Sequence, residues 1–183
     1  MKLLYYALSV IAAIVLSGVA YFAVVGGFDP VVVSEKDMGP YTIVYEEHIG
    51  DYSETGKVHD KIFNSLTADG INTTKGIGIY YDNPQIVAKD KLRSELGCIL
   101  EETDLGKTTE LAKKYKIKLM DKQYSAVAEL NLKSKLTYMI GAMKAYPALN
   151  KYIQDNKLTS LSAPFELYDI PAKKIYYVIG VKK

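Results

Sequence analysis

The chain begins with an apolar stretch that no charged residue interrupts. From Leu3 to Phe28 there are 26 residues without an Asp, Glu, Lys, Arg or His. At about 1.5 Å of rise per residue, this is enough helix to cross a hydrocarbon core of about 30 Å with some tilt. Gly26 and Gly27 then favour the end of the helix. We predict a transmembrane anchor over residues 1–28, with membrane contact through residues 3–28.

The charges on either side of this stretch indicate its orientation. Lys2 precedes it, whereas Asp29 and Asp37 follow it closely. The positive-inside rule therefore predicts a single-pass protein whose remaining residues lie on the extracytoplasmic side. A cleavable signal peptide is the alternative, because residues 18–20 (Gly-Val-Ala) have a small-x-small pattern. The apolar run continues beyond them to Val25, which favours an uncleaved anchor.

The rest of the chain repeats one pattern of alternating strands and an amphipathic helix. Each copy has a first strand, a helical segment, an aromatic strand that ends before a proline, and a closing strand. The first strands are predicted at residues 40–48 and 123–131, and the closing strands at 92–101 and 174–182. We predict a domain over residues 29–183 with repeat halves at about 31–103 and 116–183.

The first helix of the repeat is predicted over residues 51–69. Asp51 and Glu54 have the spacing of a capping box, and Gly70 favours the end of the helix. The buried face is expected to contain the apolar residues at spacing four, which are Val58, Ile62 and Leu66.

The second helix is predicted over residues 134–157, with a kink or restart at Pro147. Its buried stripe is expected to be Leu136, Met139, Ile140 and Met143. The connector between the halves, residues 103–115, is expected to hold a short helix around residues 108–114.

Two strand-helix-strand-strand units predict an α+β fold, preceded by one transmembrane helix. The helices are expected to cover one side of antiparallel sheets that meet across a pseudo-two-fold axis. The opposite sheet faces would then line a cleft between the halves, and such a cleft favours a small organic ligand.

Composition excludes several other functions. The 23 basic and 21 acidic side chains give a formal net charge of +2 without a long run of one sign, so we expect no nucleic-acid partner. The single Cys98 cannot form an internal disulfide. His48 and His59 lack metal-ligand spacing, so neither a metal nor a cofactor is expected. His59 is interpreted as an ordinary surface or boundary residue.

Glu166 is the most informative residue, because it lies in a short apolar and aromatic strand, residues 164–168. A carboxylate there costs free energy unless a partner compensates it. Strand alternation places Glu166 and Tyr168 on one face, and Phe165 and Leu167 on the other. An exposed strand glutamate is the alternative interpretation.

The residues alone leave two possible alignments of the aromatic strands of the two repeats. An ungapped alignment pairs Tyr81 with Tyr168. A one-residue gap pairs Tyr80 with Tyr168 and Gly78 with Glu166. The two registers direct opposite faces of the strand towards the cleft.

The order of these motifs resembles the gyrase-inhibitor-like (GyrI-like) family, which includes effector-binding domains of bacterial transcription activators. The likeness covers about residues 31–183. It is carried by the repeat, by Gly-Asp-Tyr at residues 50–52, by residues 78–84 and 91–97, and by Phe-Glu-Leu-Tyr at residues 165–168.

The resemblance implies a ligand cleft between the repeat halves with Glu166 at its centre. In the family pattern the Gly of the first repeat corresponds to the Glu of the second, which favours the gapped register and Tyr80. Several tyrosines lie on the predicted strands, and Tyr offers a large flat contact with one polar group. We therefore predict Glu166 as the charge partner of the ligand and Tyr168, Tyr80 and Tyr45 as its contact surfaces. The chain has no helix-turn-helix segment, which argues against direct DNA contact.

The sequence thus favours a membrane-anchored module that binds an apolar or cationic organic ligand. Some relatives of this family are hydrolases of small reactive compounds, so a hydrolase using Glu166 and a Tyr is the main alternative. A membrane-tethered protein-interaction adaptor is another. No activated Ser, Cys or His is apparent beside Glu166, so binding is preferred to catalysis. The oligomeric state stays open.

Overall fold

A computed structural model describes residues 2–183 as an apolar N-terminal helix followed by a sheet with helices on one face. The helices are α1 (Lys2–Val24), α2 (Thr55–Ala68), α3 (Thr108–Leu111) and α4 (Leu136–Asp155). The strands are β1 (Val32–Met38), β2 (Tyr41–Ile49), β3 (Lys75–Tyr80), β4 (Arg93–Ile99), β5 (Lys116–Met120), β6 (Gln123–Asn131), β7 (Thr159–Ser160), β8 (Phe165–Asp169) and β9 (Lys174–Lys182). The predicted α+β class and the duplicated element order are confirmed.

All strand pairs are antiparallel, and they build one continuous sheet in the order β1-β6-β9-β8-β3-β4-β2-β5, with β7 added at the end of β9. The order divides into two four-stranded halves that join where β8 pairs with β3. At this junction Gly78 is paired with Glu166. Ile77 and Ile79 share a face with Phe165 and Leu167, so Tyr80 lies on the same face as Tyr168, as the gapped register predicts.

Two strands that the sequence did not predict are exchanged between the halves. β1 precedes β2 in the chain but pairs with β6, and β5 precedes β6 but pairs with β2. Only residues 39–40 link β1 to β2, and only residues 121–122 link β5 to β6. Such short links force the two edges of the sheet close together, so the sheet curls strongly and the halves interlock.

The first repeat helix, α2, buries two of the three residues that its spacing predicted, whereas Val58 is half-buried. Ile62 and Leu66 of α2 are buried against Val44 and Cys98 of the sheet. The capping box does not form, because the Asp51 side chain accepts from Ser53 N at 3.0 Å in a 3₁₀ turn that precedes α2.

The expected buried stripe of α4 is wrong. Leu136, Met139 and Met143 are 38%, 59% and 71% exposed. The buried residues are instead Thr137, Gly141, Ala145, Leu149 and Ile153. The first turns of this buried face carry small residues because α4 lies close to the sheet. A Cβ at Gly141 would come within 2.4 Å of Tyr177 Oη. The helix also continues through Pro147 without a restart.

The sheet face away from the helices is not a groove. It is filled by a core of its own side chains, among them Ile43, Ile77, Phe165, Leu167 and Val178. The strong curl of the sheet brings these apolar residues from both halves into contact. The expectation of a cleft on this face is corrected, and any site at the junction must lie on the helix-covered face.

The N-terminal helix stands apart from this core. No residue of α1 is buried, and its most apolar 18-residue window has a mean hydropathy of 2.3. Among residues 2–183, α1 is the helix that is long and apolar enough to cross a membrane.

Candidate functional site

Glu166 lies in β8 at the junction of the two repeat halves, on the sheet face that α2 and α4 cover. Phe165 and Leu167 point into the core on the other face of the sheet. Alternation along β8 therefore directs Glu166 and Tyr168 towards α2 and α4, as strand geometry predicted. Only 6% of Glu166 is exposed, so the alternative of an exposed strand glutamate is excluded.

Both oxygens of the Glu166 carboxylate accept hydrogen bonds from phenols. Tyr168 Oη donates to Oε2 at 2.6 Å, and Tyr146 Oη of α4 donates to Oε1 at 2.9 Å. Tyr80 Oη lies 3.2 Å from Tyr168 Oη. Because Tyr168 uses its proton on the carboxylate, Tyr80 donates to Tyr168. A chain of phenols thus ends on one buried carboxylate.

Glycines of β3 make room for these rings. A Cβ at Gly78 would lie 2.9 Å from Tyr80 Oη, and one at Gly76 would lie 3.2 Å from Tyr168 Cδ2. The Gly that corresponds to Glu166 in the first repeat is therefore a steric requirement. It lets Tyr80 fold over its own strand and reach Tyr168.

Further aromatic rings pack against these phenols. Tyr52 packs edge-on against Tyr80 at a centroid distance of 4.9 Å. Tyr138 of α4 and His59 of α2 both pack edge-on against Tyr168, at 5.3 and 5.4 Å. Both helices therefore supply aromatic contacts to the junction between the repeats.

The electrostatics of Glu166 are unusual for a carboxylate. Burial raises the pKa of Glu166 to about 7, and the hydrogen bonds from Tyr168 and Tyr146 offset this only in part. Within residues 2–183, no Lys, Arg or His forms an ion pair with Glu166. Burial, together with the nearby carboxylate, also raises the pKa of the Tyr80, Tyr146 and Tyr168 phenols, so these remain protonated donors.

His59 belongs to this site, although the sequence interpretation left it out. Its Nε2 is shielded from solvent and has no hydrogen-bond partner among the described residues. Burial lowers the pKa of His59 to about 4, so the ring is neutral at physiological pH. The spacing of Thr55, His59, Ile62 and Leu66 along α2 would have identified it, because all four share the buried face.

Tyr146 was also missed. The expected stripe of α4 directed the opposite face of that helix towards the core, so the tyrosines beside the true stripe were not considered. Tyr138 and Tyr146 are eight residues apart, so they lie about two turns apart along α4 and about 80° apart around its axis.

Tyr45 does not join the other proposed ligand residues. It packs with the core cluster on the opposite face of the sheet, and Lys118 Nζ lies 4.9 Å from its ring centroid. Val44, the residue before Tyr45, packs with Ile62 and Leu66 of α2, so strand alternation turns Tyr45 away from the helices. The structure brings together Glu166, Tyr168 and Tyr80, and leaves Tyr45 outside.

Comparisons with known proteins agree with the observed fold. No protein-family model matches the chain. Testis-expressed protein 264 of Homo sapiens is 30% identical over 124 residues, which cover 64% of this chain and 38% of that protein. Its homologue in Mus musculus is 27% identical over 123 residues, with the same coverage. The chain thus spans 38% of the length of these curated relatives.

Solved structures show a similarity at the level of the fold. The C-terminal domain of EcmrR superposes with a TM-score of 0.59 and 14% identity, covering 84% of this chain and 98% of that one. SAV2435, solved in complex with tetraphenylphosphonium, superposes with a TM-score of 0.52 and 12% identity, covering 82% of this chain and 94% of that one. These likenesses confirm the expected gyrase-inhibitor-like fold.

Proposed function

We propose that this protein is a membrane-anchored small-molecule-binding protein, with residues 1–28 as the anchor and residues 29–183 as the binding domain. The ligand is an apolar or cationic organic molecule held between α2 and α4 at the junction of the repeats. One observation carries the proposal: Glu166 is a buried carboxylate that accepts from two phenols and has no cationic partner among residues 2–183.

The chemistry of the site favours a lipophilic cation. A buried carboxylate is costly unless it is paired, so a cation that enters beside it recovers free energy that the free protein lacks. Tyrosine faces around the carboxylate add cation–π attraction and a large flat contact area. SAV2435, which shares the fold, was solved with tetraphenylphosphonium, a cation of this class.

The contact residues follow from the hydrogen-bond geometry. Tyr168 and Tyr80 belong to the central strands and form the floor of the site beside Glu166. Tyr146 approaches from α4 and covers Oε1 of Glu166 at 2.9 Å. Ligand entry displaces Tyr146, because a helix side chain can rotate away without breaking the sheet. The sequence-based proposal is thus kept for Glu166, Tyr168 and Tyr80, whereas Tyr45 on the far face is not part of it.

The test compares one cation with a neutral molecule of similar shape. The full chain in detergent micelles is titrated with tetraphenylphosphonium and with triphenylphosphine oxide by calorimetry. Glu166→Gln should weaken the cation by about 10- to 100-fold, since hydrogen bonds and contacts to charged groups contribute roughly 1.5–3 kcal/mol. Binding of the neutral compound should be retained.

The matched control is Glu102→Gln, which changes an exposed glutamate and should leave both affinities unchanged. Equal loss of both ligands in Glu166→Gln would point to misfolding or to a site without a charge preference. If neither compound binds to the unsubstituted chain, the proposal is refuted.

The anchor has its own test. α1 carries Lys2 at one end and is followed by Asp29 and Asp37, so the domain is proposed to lie outside the cytoplasm. Protease added to intact cells should then cut residues 29–183. Cutting only after lysis would reverse the orientation, and release of the protein by carbonate washing would refute the anchor.

Hydrolase activity is the second candidate function, because the pKa of Glu166 is raised. A carboxyl group whose pKa is about 7 can act as a general acid or base at neutral pH. Tyr168 could then assist a leaving group. Turnover of a small epoxide or activated ester that Glu166→Gln abolishes, with ligand affinity unchanged, would favour this activity over simple binding.

A further inference from the structure

An exposed apolar stripe runs along the first turns of α4. Leu136, Met139 and Met143 are 38%, 59% and 71% exposed, and Ile140 between them is half-buried. At 100° per residue these four side chains share one face, opposite to the buried face of the helix. A run of large apolar side chains on one exposed face indicates a contact surface.

This stripe is adjacent to the point where α1 ends. Lys144 Nζ of α4 donates to the carbonyl oxygens of Gly26, Gly27 and Asp29 at 3.0, 2.8 and 2.6 Å. Val25 directly follows α1 and is only 3% exposed. The segment 25–29 is therefore fixed against α4 between Thr137 and Lys144, which is the part of the helix that carries the stripe.

The apolar character stops where α4 leaves this neighbourhood. After the exposed Pro147, the later positions on the same face are Asn150, Lys151 and Gln154. A core-facing stripe would continue to the end of the helix, as the buried one does to Ile153. The exposed apolar residues are thus confined to the turns closest to the end of α1.

The charge of this segment complements a lipid surface. Residues 130–154 contain four Lys and no Asp or Glu. An amphipathic helix with lysines around its apolar face is typical of the interface of an anionic bilayer, where the apolar side chains reach about 5–10 Å below the headgroups. Phe28 adds another apolar side chain near the end of α1, at 65% exposure.

We propose that the first three turns of α4 lie in the headgroup region of the bilayer that α1 crosses, with Leu136, Met139 and Met143 inserted among the acyl chains. This inference rests on the proposed membrane anchor. A second copy of the chain is a poorer occupant, because a stable interface buries about 800 Å² on each partner and four side chains fall well short of that area. The contact fixes the orientation of the binding domain on the membrane.

The experiment places a polarity-sensitive fluorophore at single positions of the full chain in vesicles of phosphatidylcholine and phosphatidylglycerol in equal parts. The substitutions Met139→Cys and Met143→Cys probe the stripe. Asn150→Cys probes the polar continuation of the same face, and Ile11→Cys probes the middle of α1. Cys98 is 3% exposed, so the unsubstituted chain serves as the blank for labelling under native conditions.

Lipids with a nitroxide at a shallow acyl-chain position report contact at positions 139, 143 and 150. Because position 11 would lie near the middle of a hydrocarbon core of about 30 Å, it is read with lipids whose nitroxide lies deep in the acyl chain. We expect severalfold stronger quenching at positions 139 and 143 than at position 150. Quenching at position 11 without quenching at 139 and 143 would overturn this inference and leave the anchor standing. An unquenched position 11 would refute the anchor and this contact together. A blue-shifted but unquenched probe at 139 and 143 would assign the stripe to a contact with a second copy of this chain and overturn the lipid contact.

Discussion

Replacing Glu166 by Gln should stabilise the protein at alkaline pH and have little effect at acidic pH. The carboxylate is 6% exposed, and burial raises its pKa from 4.5 to about 7. Between these two values the folded protein binds more protons than the unfolded chain. The free energy of unfolding therefore falls as pH rises through this window, and the loss is complete above the folded pKa.

The magnitude follows from the size of the shift. At 1.36 kcal/mol for each pH unit between the two pKa values, ionised Glu166 costs the folded state about 3 kcal/mol above pH 7. Gln keeps the shape and accepts from Tyr168 or Tyr146 without any charge to bury. For a chain of this length, about 3 kcal/mol corresponds to roughly 6–12 °C in Tm.

The assay is thermal unfolding of the full chain in detergent, followed by near-ultraviolet circular dichroism of the tyrosines from pH 4.5 to 8.5. The Tm difference between Glu166→Gln and the unsubstituted protein should be small at pH 4.5 and grow to its plateau above pH 7. Glu102→Gln, at an exposed position, should track the unsubstituted protein throughout. A constant difference across the range would refute the burial argument, and a more stable unsubstituted protein at pH 8 would reverse its sign.

Three further outcomes test the site and its packing. Affinity for tetraphenylphosphonium, measured by calorimetry, should fall by up to about tenfold for each pH unit below 7, because protonation of Glu166 competes with the cation. The loss should level off at about the 10- to 100-fold expected for Glu166→Gln, and an affinity that does not change with pH would exclude Glu166 as the partner of the cation. Gly78→Ala should cost about 1 kcal/mol in thermal unfolding and alter the tyrosine dichroism, since its Cβ would lie 2.9 Å from Tyr80 Oη and break the phenol chain; an unchanged spectrum would contradict this. Gly141→Ala should lower stability by about 1–3 kcal/mol, because its Cβ would lie 2.4 Å from the fully buried Tyr177 Oη, and an unchanged Tm would show that α4 can move away.

The proposed membrane contact of α4 would bring the binding site close to ligands that collect at the membrane surface. The same helix carries the exposed stripe and Tyr146, which covers Glu166 at 2.9 Å. Lipophilic cations concentrate at anionic membrane surfaces, where the proposed site would meet them.

Local periodicity was enough to establish several features from the sequence alone. The uncharged run from Leu3 to Phe28 predicted the long apolar helix, because length and composition decide that property without any partner. Alternation along β8 placed Glu166 and Tyr168 together and opposite to Phe165, since a strand always alternates. The resemblance in motif order added the register that pairs Gly78 with Glu166.

Tertiary structure alone decided which of the alternating faces is covered. The sheet curls because β1 and β5 are exchanged between halves, and this fills one face with core residues and leaves the other to the helices. Periodicity gives the angle of each residue around a helix axis, but it does not give the distance between the helix and the sheet against which it packs. On α4 the close approach of Tyr177 selected the small residues around Gly141 and turned Met139 and Met143 outwards. That choice brought Tyr146 to Glu166, a contact between distant parts of the chain that local patterns do not encode.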